Sequence, residues 1–249
     1  MIMAKKSLGK IKQVAKKKSE TPNFQGFSTE TFKFLRDLAK HNDRDWFSAN
    51  KQRYEDDVLA PSLAFIESMQ PFVRKLSPYL TAIPKRVGGS LMRIYRDTRF
   101  SKNKSPYKTN VGIHFRHEIG GDVHGPGLYL HLEPGNCFLG AGIWMPPAES
   151  LAMIRQLIDE DPRYWKKARD DKRFTARYKL ESESLKTAPR GYEPSHPMID
   201  DLRRKSFAAM APITERELCT PDCSSKIAAA FSEAKPLMKF LCDALNQPF

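Results

Sequence analysis

The chain has 249 residues, of which 40% are hydrophobic, so it is long enough to bury a substantial core. Its formal net charge is +13, and residues 1–18 carry seven lysines and no acid. About half of the charge excess therefore lies in residues 1–22, which we expect to be a basic disordered tail. The mean hydropathy is −0.56, and no apolar run approaches ~18 residues, which excludes a membrane-spanning helix.

Residues 27–80 are predicted to form a helical cap. Ser28 is a suitable N-cap for its first helix, and Asp43 begins the second. Pro61 has the fixed backbone angle that suits the first turn of a third helix. Packing explains the apolar positions of this region, and the pattern indicates no chemistry there.

The spacing of apolar residues then changes from helical to alternating in four successive segments. These predicted strands cover residues 91–97, 110–117, 127–133 and 137–145. Pro134, Gly135 and Asn136 form a strong hairpin signal between the last two strands. Short connections between successive strands favour an antiparallel meander with one apolar face.

Helical periodicity returns in the C-terminal part. We expect a loop over residues 180–197, a short helix over 199–202, and a short strand or helix over 206–210. The last helix is predicted at about 225–245, with a kink at Pro236.

These elements predict one α+β domain over residues 23–249. Its antiparallel sheet has four or more strands and is wrapped by N- and C-terminal helices. The cysteines form no CxxC pair, which is typical of the reduced thiols of a cytoplasmic protein. The first residues lack the apolar segment of a secretory signal, which agrees with that compartment.

One face of the predicted sheet is unusually polar. It carries Arg93, Tyr95, Asp97, Arg99, His114, Arg116, Tyr129, His131 and Glu133. Gly112, Gly140 and Gly142 share this face, and glycine within a strand often marks the close approach of a ligand. The pattern predicts a pocket above a mostly cationic floor. The alternative is that this polar face is exposed to solvent. The glycines would then mark bulges in the strands and not the approach of a ligand.

Residues 91–110, LMRIYRDTRFSKNKSPYKTN, concentrate positive charge, with one acid, Asp97, among six bases. Such clustering of one charge sign favours binding of an anion, because Arg clamps phosphate or carboxylate and Lys neutralises it. The predicted ligand-binding residues are Arg93, Tyr95, Arg96, Arg99, Lys102, Lys104, Tyr107 and Lys108. The alternative is that these bases pair with acids such as Glu118 and Asp122.

Histidines raise the question of metal binding. His114, His117, His124 and His131 lie close together in the sequence, near Glu118, Asp122 and Glu133. An odd separation places His114 and His117 on opposite faces of a strand, and no HExxH motif is present, so no metal site is predicted. Asp97, His114 and His131 are the candidates for proton transfer. The sequence contains neither GxxxxGK[ST] nor GxGxxG and assigns no cofactor.

The span from Phe27 to Leu245 resembles the uncharacterised bacterial and fungal family catalogued as domain of unknown function 2461. The resemblance rests on FLRDLAKHNDRDWFSANKQRYE, RIYRDTRFSKNKSPYKTN, GLYLHLEPGNCFLGAGIWMP and LKTAPRGYEPSHP. It implies a compact cytosolic protein and assigns no reaction. It also implies that the family signature includes Arg93, Arg96, Asp97, Arg99, Phe100, Lys104, Pro106, Tyr107 and Lys108.

The chain departs from that resemblance at Asn103, where the family pattern commonly has an acid. If the acid is a catalytic base or metal ligand in relatives, this chain is expected to bind without turnover. Asp97 would then be the remaining carboxylate within the motif.

Three interpretations follow from the sequence. The first is a module that binds a phosphate-bearing small molecule or nucleic acid through residues 93–108. The second is an enzyme acting on a phosphate- or carboxylate-bearing small molecule, with His114, His131 or Asp97 moving the proton. The third is an interaction scaffold in which Tyr95 and Arg99 form buried structural pairs.

Overall fold

The computed structural model describes residues 24–119 and 125–249. The predicted basic tail lies outside these residues, as do Asp122 and His124. No helix within the described ranges is both long enough and apolar enough to cross a bilayer.

Helices occupy both ends of the described chain, on either side of the strands. They are α1 (Thr29–Lys40), α2 (Arg44–Ala49), α3 (Lys51–Tyr54), α4 (Ala60–Leu76), α5 (Ala148–Glu160), α6 (Pro162–Arg169), α7 (Lys172–Arg177), α8 (Ile199–Leu202), α9 (Glu215–Leu218), α10 (Cys223–Glu233) and α11 (Lys235–Ala244). A π-helical turn, Glu55–Leu59, joins α3 to α4.

The predicted helix starts are confirmed. The Ser28 hydroxyl accepts a hydrogen bond from the Thr31 amide at 3.3 Å, and Asp43 Oδ1 accepts one from the Trp46 amide at 2.8 Å. Each bond satisfies an amide that has no partner within its own helix. The expected kinked helix at 225–245 is instead two helices, α10 and α11, which are separated at Ala234. Pro236 lies in the first turn of α11, where its missing N–H costs nothing.

The sheet is antiparallel throughout, which confirms the α+β prediction. Its strands are β1 (Val111–Arg116), β2 (Gly127–Leu132), β3 (Phe138–Ile143), β4 (Lys179–Leu180) and β5 (Phe207–Pro212), in the order β1-β2-β3-β5-β4. The β2–β3 hairpin turns where it was predicted. Gly135 has a φ of +78°, and the Asn136 amide donates to the Glu133 carbonyl at 2.9 Å.

The predicted strand at 91–97 is wrong as a regular strand. This segment runs antiparallel to residues 107–113 but forms only isolated bridges, at Leu91 and Tyr95. The Met92 amide bonds the Gly112 carbonyl, whereas the Ile94 carbonyl accepts from the Lys108 amide. Arg93 therefore stands opposite three residues, 109–111, and this bulge interrupts the ladder.

The two faces of the sheet have different neighbours. The apolar face packs on helices: Phe115 of β1 lies 6.3 Å from Phe65 of α4 and 6.2 Å from Phe231 of α10, measured between ring centroids. The opposite face carries His114, Tyr129 and His131, none of which belongs to the hydrophobic core. This second face is therefore available to form a site.

Candidate functional site

Residues 91–110 form an arm along the edge of β1, which we call the basic arm. Asn42, in the turn between α1 and α2, holds it at Tyr107: Asn42 Nδ2 donates to the Tyr107 carbonyl and Asn42 Oδ1 accepts from its amide, both at 3.0 Å. The Tyr107 ring stacks on Phe47 with centroids 4.1 Å apart. The basic arm is thus fixed at its base by the N-terminal helices.

A cleft of about 300 Å³ lies at this base. We call it the basic cleft, and its lining residues are Ala39, Asn42, Arg96, Asn103, Ser105, Tyr107, Lys108, Thr109 and Asn110. Thr109 and Asn110 belong to the bulge opposite Arg93, so the interrupted ladder turns two hydrogen-bonding side chains towards the cleft. The lining combines two cations with hydroxyl and amide groups, and it includes no carboxylate among the residues that the structure describes.

Among the described residues, the cations of the basic cleft form no ion pair with an acid. Burial lowers the pKa of Lys108, and the nearby positive charge of Arg93 lowers this pKa further. Within residues 24–119 and 125–249, the ion pairs between side chains include none that involves Arg93, Arg96 or Lys108. A bound anion would relieve the repulsion between Lys108 and Arg93.

The tip of the basic arm is exposed and has its own contacts. Arg99 forms a two-pronged ion pair with Asp97, at 2.7 and 3.0 Å, and its guanidinium lies 5.7 Å from the centre of the Phe100 ring. Phe100 is 94% exposed. The Lys104 ammonium donates to the Thr98 carbonyl at 2.9 Å.

These contacts change the roles predicted for Asp97, Tyr95 and Arg99. The hydrogen bonds from Arg99 lower the pKa of Asp97 to about 2, so at neutral pH its carboxylate is ionised and a weak base. Tyr95 is 56% exposed and Arg99 is exposed as well, so the buried pairs expected of a scaffold are wrong. Tyr107, predicted to bind ligand, stacks its buried ring on Phe47 and also lines the basic cleft, so its role in binding stays a prediction.

A second cavity, of about 450 Å³, lies on the face of the sheet that carries the glycines. We call it the glycine groove, and its lining residues are Met92, His114, Gly127, Tyr129, His131, Phe138, Gly140, Ala141, Gly142, Trp144, Ala208, Ala209 and Met210. The strand register places Tyr129 between His114 and Gly140, and Gly140 beside Met210. The pocket above the glycines is present.

The cationic floor expected for that pocket is wrong. None of the charged residues predicted on this face, among them Arg93, Arg99 and Arg116, lines the groove. The basic arm leaves the ladder before Arg93, so strand alternation does not carry its charges onto the sheet face. The glycines also accommodate side chains of the protein itself: a Cβ at Gly127 would lie 2.1 Å from His114 Nε2, and one at Gly112 would lie 2.7 Å from Tyr129 Oη.

Polar groups at one end of the groove form a hydrogen-bonded chain. His131 Nε2 lies 3.3 Å from Glu133 Oε2, and Tyr129 Oη lies 2.9 Å from His131 Nδ1. Since a carboxylate only accepts, His131 donates from Nε2, and its Nδ1 then accepts the hydrogen of Tyr129. Asn110 Nδ2 lies 3.4 Å from the same Nδ1, so Asn110 connects this chain to the basic cleft.

Burial sets the protonation of these groups. It lowers the pKa of His114 to about 4, with a smaller contribution from Arg116, and it raises the pKa of Tyr129 to about 12. Burial also lowers the pKa of His131, although the hydrogen bond to Glu133 opposes that effect. At neutral pH the groove therefore presents uncharged rings.

Metal-binding side chains do not converge in the described residues. No three of the His, Cys, Asp and Glu side chains within residues 24–119 and 125–249 are placed to hold one ion. His117, one of the four clustered histidines, is buried and its Nε2 lies 2.7 Å from the Pro248 carbonyl.

Sequence reasoning missed several residues that build the two sites. Asn42 and Ala39 line the basic cleft from the helical cap, where packing was the expected role. Asn42 is separated from Tyr107 by 65 positions, so no local pattern links them. Met210 and Ala208 line the groove from β5, in a segment that was predicted to be either a short strand or a short helix.

The fold and the two cavities define an α+β protein whose sheet is covered by helices on one face and carries a groove on the other. Residues 30–240 match the family described as a conserved hypothetical protein, domain of unknown function 2461, and the chain belongs to this family. No curated protein and no solved structure shows a significant match to the chain.

Proposed function

We propose that this protein binds a phosphate-bearing ligand in the basic cleft. The observation that carries the proposal is the pairing of Arg96 and Lys108 in one cleft that no described carboxylate lines. Surface cations are usually mixed with acids, whereas a cleft whose charged lining residues are all cations concentrates anions.

The other lining groups support the same ligand chemistry. Ser105 has a hydroxyl group and Asn110 has an amide, and both can donate to phosphate oxygens, whereas Thr109 donates its hydroxyl hydrogen to Glu133 Oε1 at 3.4 Å. Arg96 suits two-pronged binding of a phosphate, and the partly buried Lys108 acts as a point charge. The fixed base of the basic arm supports this role, because Asn42 and Phe47 hold Tyr107 before any ligand arrives.

The variant Asn103→Asp tests phosphate binding in the basic cleft, because it adds a negative charge there with almost no change in the shape of the side chain. Asn103 Oδ1 accepts a hydrogen bond from the Ser105 amide at 2.9 Å, and an aspartate keeps that bond. We expect Asn103→Asp to weaken binding of inorganic pyrophosphate about fivefold, because one added charge at ~4 Å costs about 1 kcal/mol even in a water-like dielectric. Isothermal titration calorimetry on the full chain measures this change.

Asn246→Asp is the matched control, since Asn246 is exposed near the C-terminus and does not line the cleft. It changes the net charge equally, so it should alter affinity by less than about twofold at physiological salt. Equal weakening by both variants would mean that pyrophosphate responds to overall charge, and would contradict a site in the cleft.

The phosphate group could belong to a small molecule or to nucleic acid. Nucleic acid is worth testing as the source, because the exposed ring of Phe100 beside Arg99 resembles a platform on which nucleic-acid bases stack. Fluorescence anisotropy with single-stranded RNA distinguishes the two. Binding that Asn103→Asp and Phe100→Ala both weaken assigns nucleic acid, whereas a response confined to pyrophosphate assigns a small ligand.

The second interpretation, an enzyme with acid–base chemistry, has a narrower basis. The chain of Glu133, His131 and Tyr129 favours proton transfer in the glycine groove, whereas Asp97 is bound to Arg99. Arg93 and Arg99, two of the predicted ligand-binding residues, do not line the groove, so they supply no anion contact beside this chain of groups. Anion binding in the basic cleft therefore remains our first proposal.

Two further proposals concern the chain as a whole. The buried hydrophobic cluster extends from Phe24 to Ala244, which supports one domain over residues 23–249. All four cysteines, Cys137, Cys219, Cys223 and Cys242, are free, which supports a reducing compartment such as the cytoplasm.

A further inference from the structure

We propose that the glycine groove is a second binding site, for an uncharged, planar ring compound that carries an N–H or O–H hydrogen-bond donor. This site is separate in its chemistry from the basic cleft and does not depend on the anion proposal.

The shape of the groove favours a flat ligand. The Tyr129 ring lies against Gly140, whose Cβ would be 3.3 Å from Tyr129 Cβ, and the His114 ring lies against Gly127. Because both rings lie over glycines, which have no side chain, few side-chain atoms project from the middle of the sheet face. Gly142 and Ala208, paired on β3 and β5, continue this low floor.

The walls supply ring and sulfur contacts. Phe138 stacks on His131 with centroids 4.5 Å apart, and Met92 and Met210 line the groove as well. Aromatic rings pack in offset or edge-to-face geometry, and thioethers adapt to irregular ligands.

The rim of the groove has an unusual backbone conformation. Trp144 is half-exposed at this rim, and the next residue, Met145, has a φ of +45°. Such a backbone conformation is rare outside glycine, and it occurs often at binding sites.

The polarity of the groove sets the charge of the ligand. No Asp, Glu, Lys or Arg of the described chain lines it, so an ionic ligand would lose its hydration without gaining a partner. Its polar groups are His114, Tyr129 and His131. Tyr129 gives its hydrogen to His131, so its oxygen offers the groove only lone pairs, and the complementary ligand group is a donor.

The test uses N-phenyl-1-naphthylamine, a neutral ring compound with one N–H group whose fluorescence rises in apolar surroundings. The full chain should bind it at one saturable site. Ala208→Leu adds three carbons to the floor and should weaken binding roughly tenfold or more, since hydrophobic sites discriminate single methylenes by about 10–200-fold. Tyr129→Phe removes the acceptor but keeps the ring, and should weaken binding by several-fold.

Ala152→Leu is the matched control, because it makes the same change on the exposed face of α5 and should leave the affinity unchanged. If Ala208→Leu does not fold, as judged by circular dichroism, Met92→Trp fills the groove from the basic arm, which lies outside the regular strands. Equal affinity of the wild type and the filled variant would overturn the proposal. So would a wild-type dimer that the filled variant converts to a monomer, because a second copy would then occupy the groove.

Discussion

Asp201→Ala should lower the free energy of unfolding by about 3 kcal/mol, because it leaves the partly buried Arg204 without its counter-charge and removes one of the two carboxylates that pair with Arg169. The Asp201 side chain is 5% exposed and lies between Arg169 and Arg204, with Arg204 Nε at 3.0 Å. Arg204 also donates to the Glu181 carbonyl at 2.7 Å, next to β4. Asp201 therefore joins α6, α8 and the far edge of the sheet, and urea denaturation measures the loss.

Asp170→Ala is the matched control for this prediction. Asp170 pairs with the same Arg169, but its side chain is 54% exposed. Exposed ion pairs contribute about 0–1 kcal/mol, so this variant should remain close to the wild type. If both variants lost the same stability, the buried position of Asp201 would not be the cause and the account of this network would be wrong.

The stability of the wild type should fall as the pH is lowered from about 6.5 to about 4, because His114 resists protonation in the folded protein. Burial is the main reason that its pKa falls from the ordinary histidine value of 6.5 to about 4 on folding. Between these values the unfolded chain binds the proton and the folded chain does not, so acid favours unfolding. At 1.36 kcal/mol per pH unit, the contribution of His114 is about 3 kcal/mol.

Urea denaturation of the wild type and of His114→Gln, at several pH values across this window, isolates that contribution. The variant cannot take up this proton, so its stability should fall less steeply with acid. His131 remains in the variant, and its lowered pKa acts in the same direction, so some slope persists. Parallel curves for the two proteins would show that His114 titrates alike in the folded and unfolded chains.

Local patterns were sufficient to predict most of the fold. The alternation in residues 110–117, 127–133 and 137–145 became β1, β2 and β3, because a strand buried on one face must alternate. The segment at 206–210 could not be decided, since FAAMAP is rich in helix-forming alanine. Pairing with β3, more than 60 positions away in the chain, made it a strand.

The candidate site was predicted less completely. The clustered bases of the basic arm were visible in the sequence, and Arg96 and Lys108 do share a cleft. Strand alternation failed beyond Met92, because a bulge at residues 109–111 separates the arm from the ladder. A bulge depends on the register between two segments, and a single sequence does not contain that register.

The central claim is that the basic cleft binds phosphate, and ¹⁵N-resolved NMR of the full chain during titration with inorganic pyrophosphate tests it most directly. The amide signals of Arg96, Ser105, Lys108 and Asn110 should shift together and reach saturation, because these residues line the cleft. Shifts confined to the exposed tip around Phe100, or no saturable shifts in the cleft, would contradict the claim.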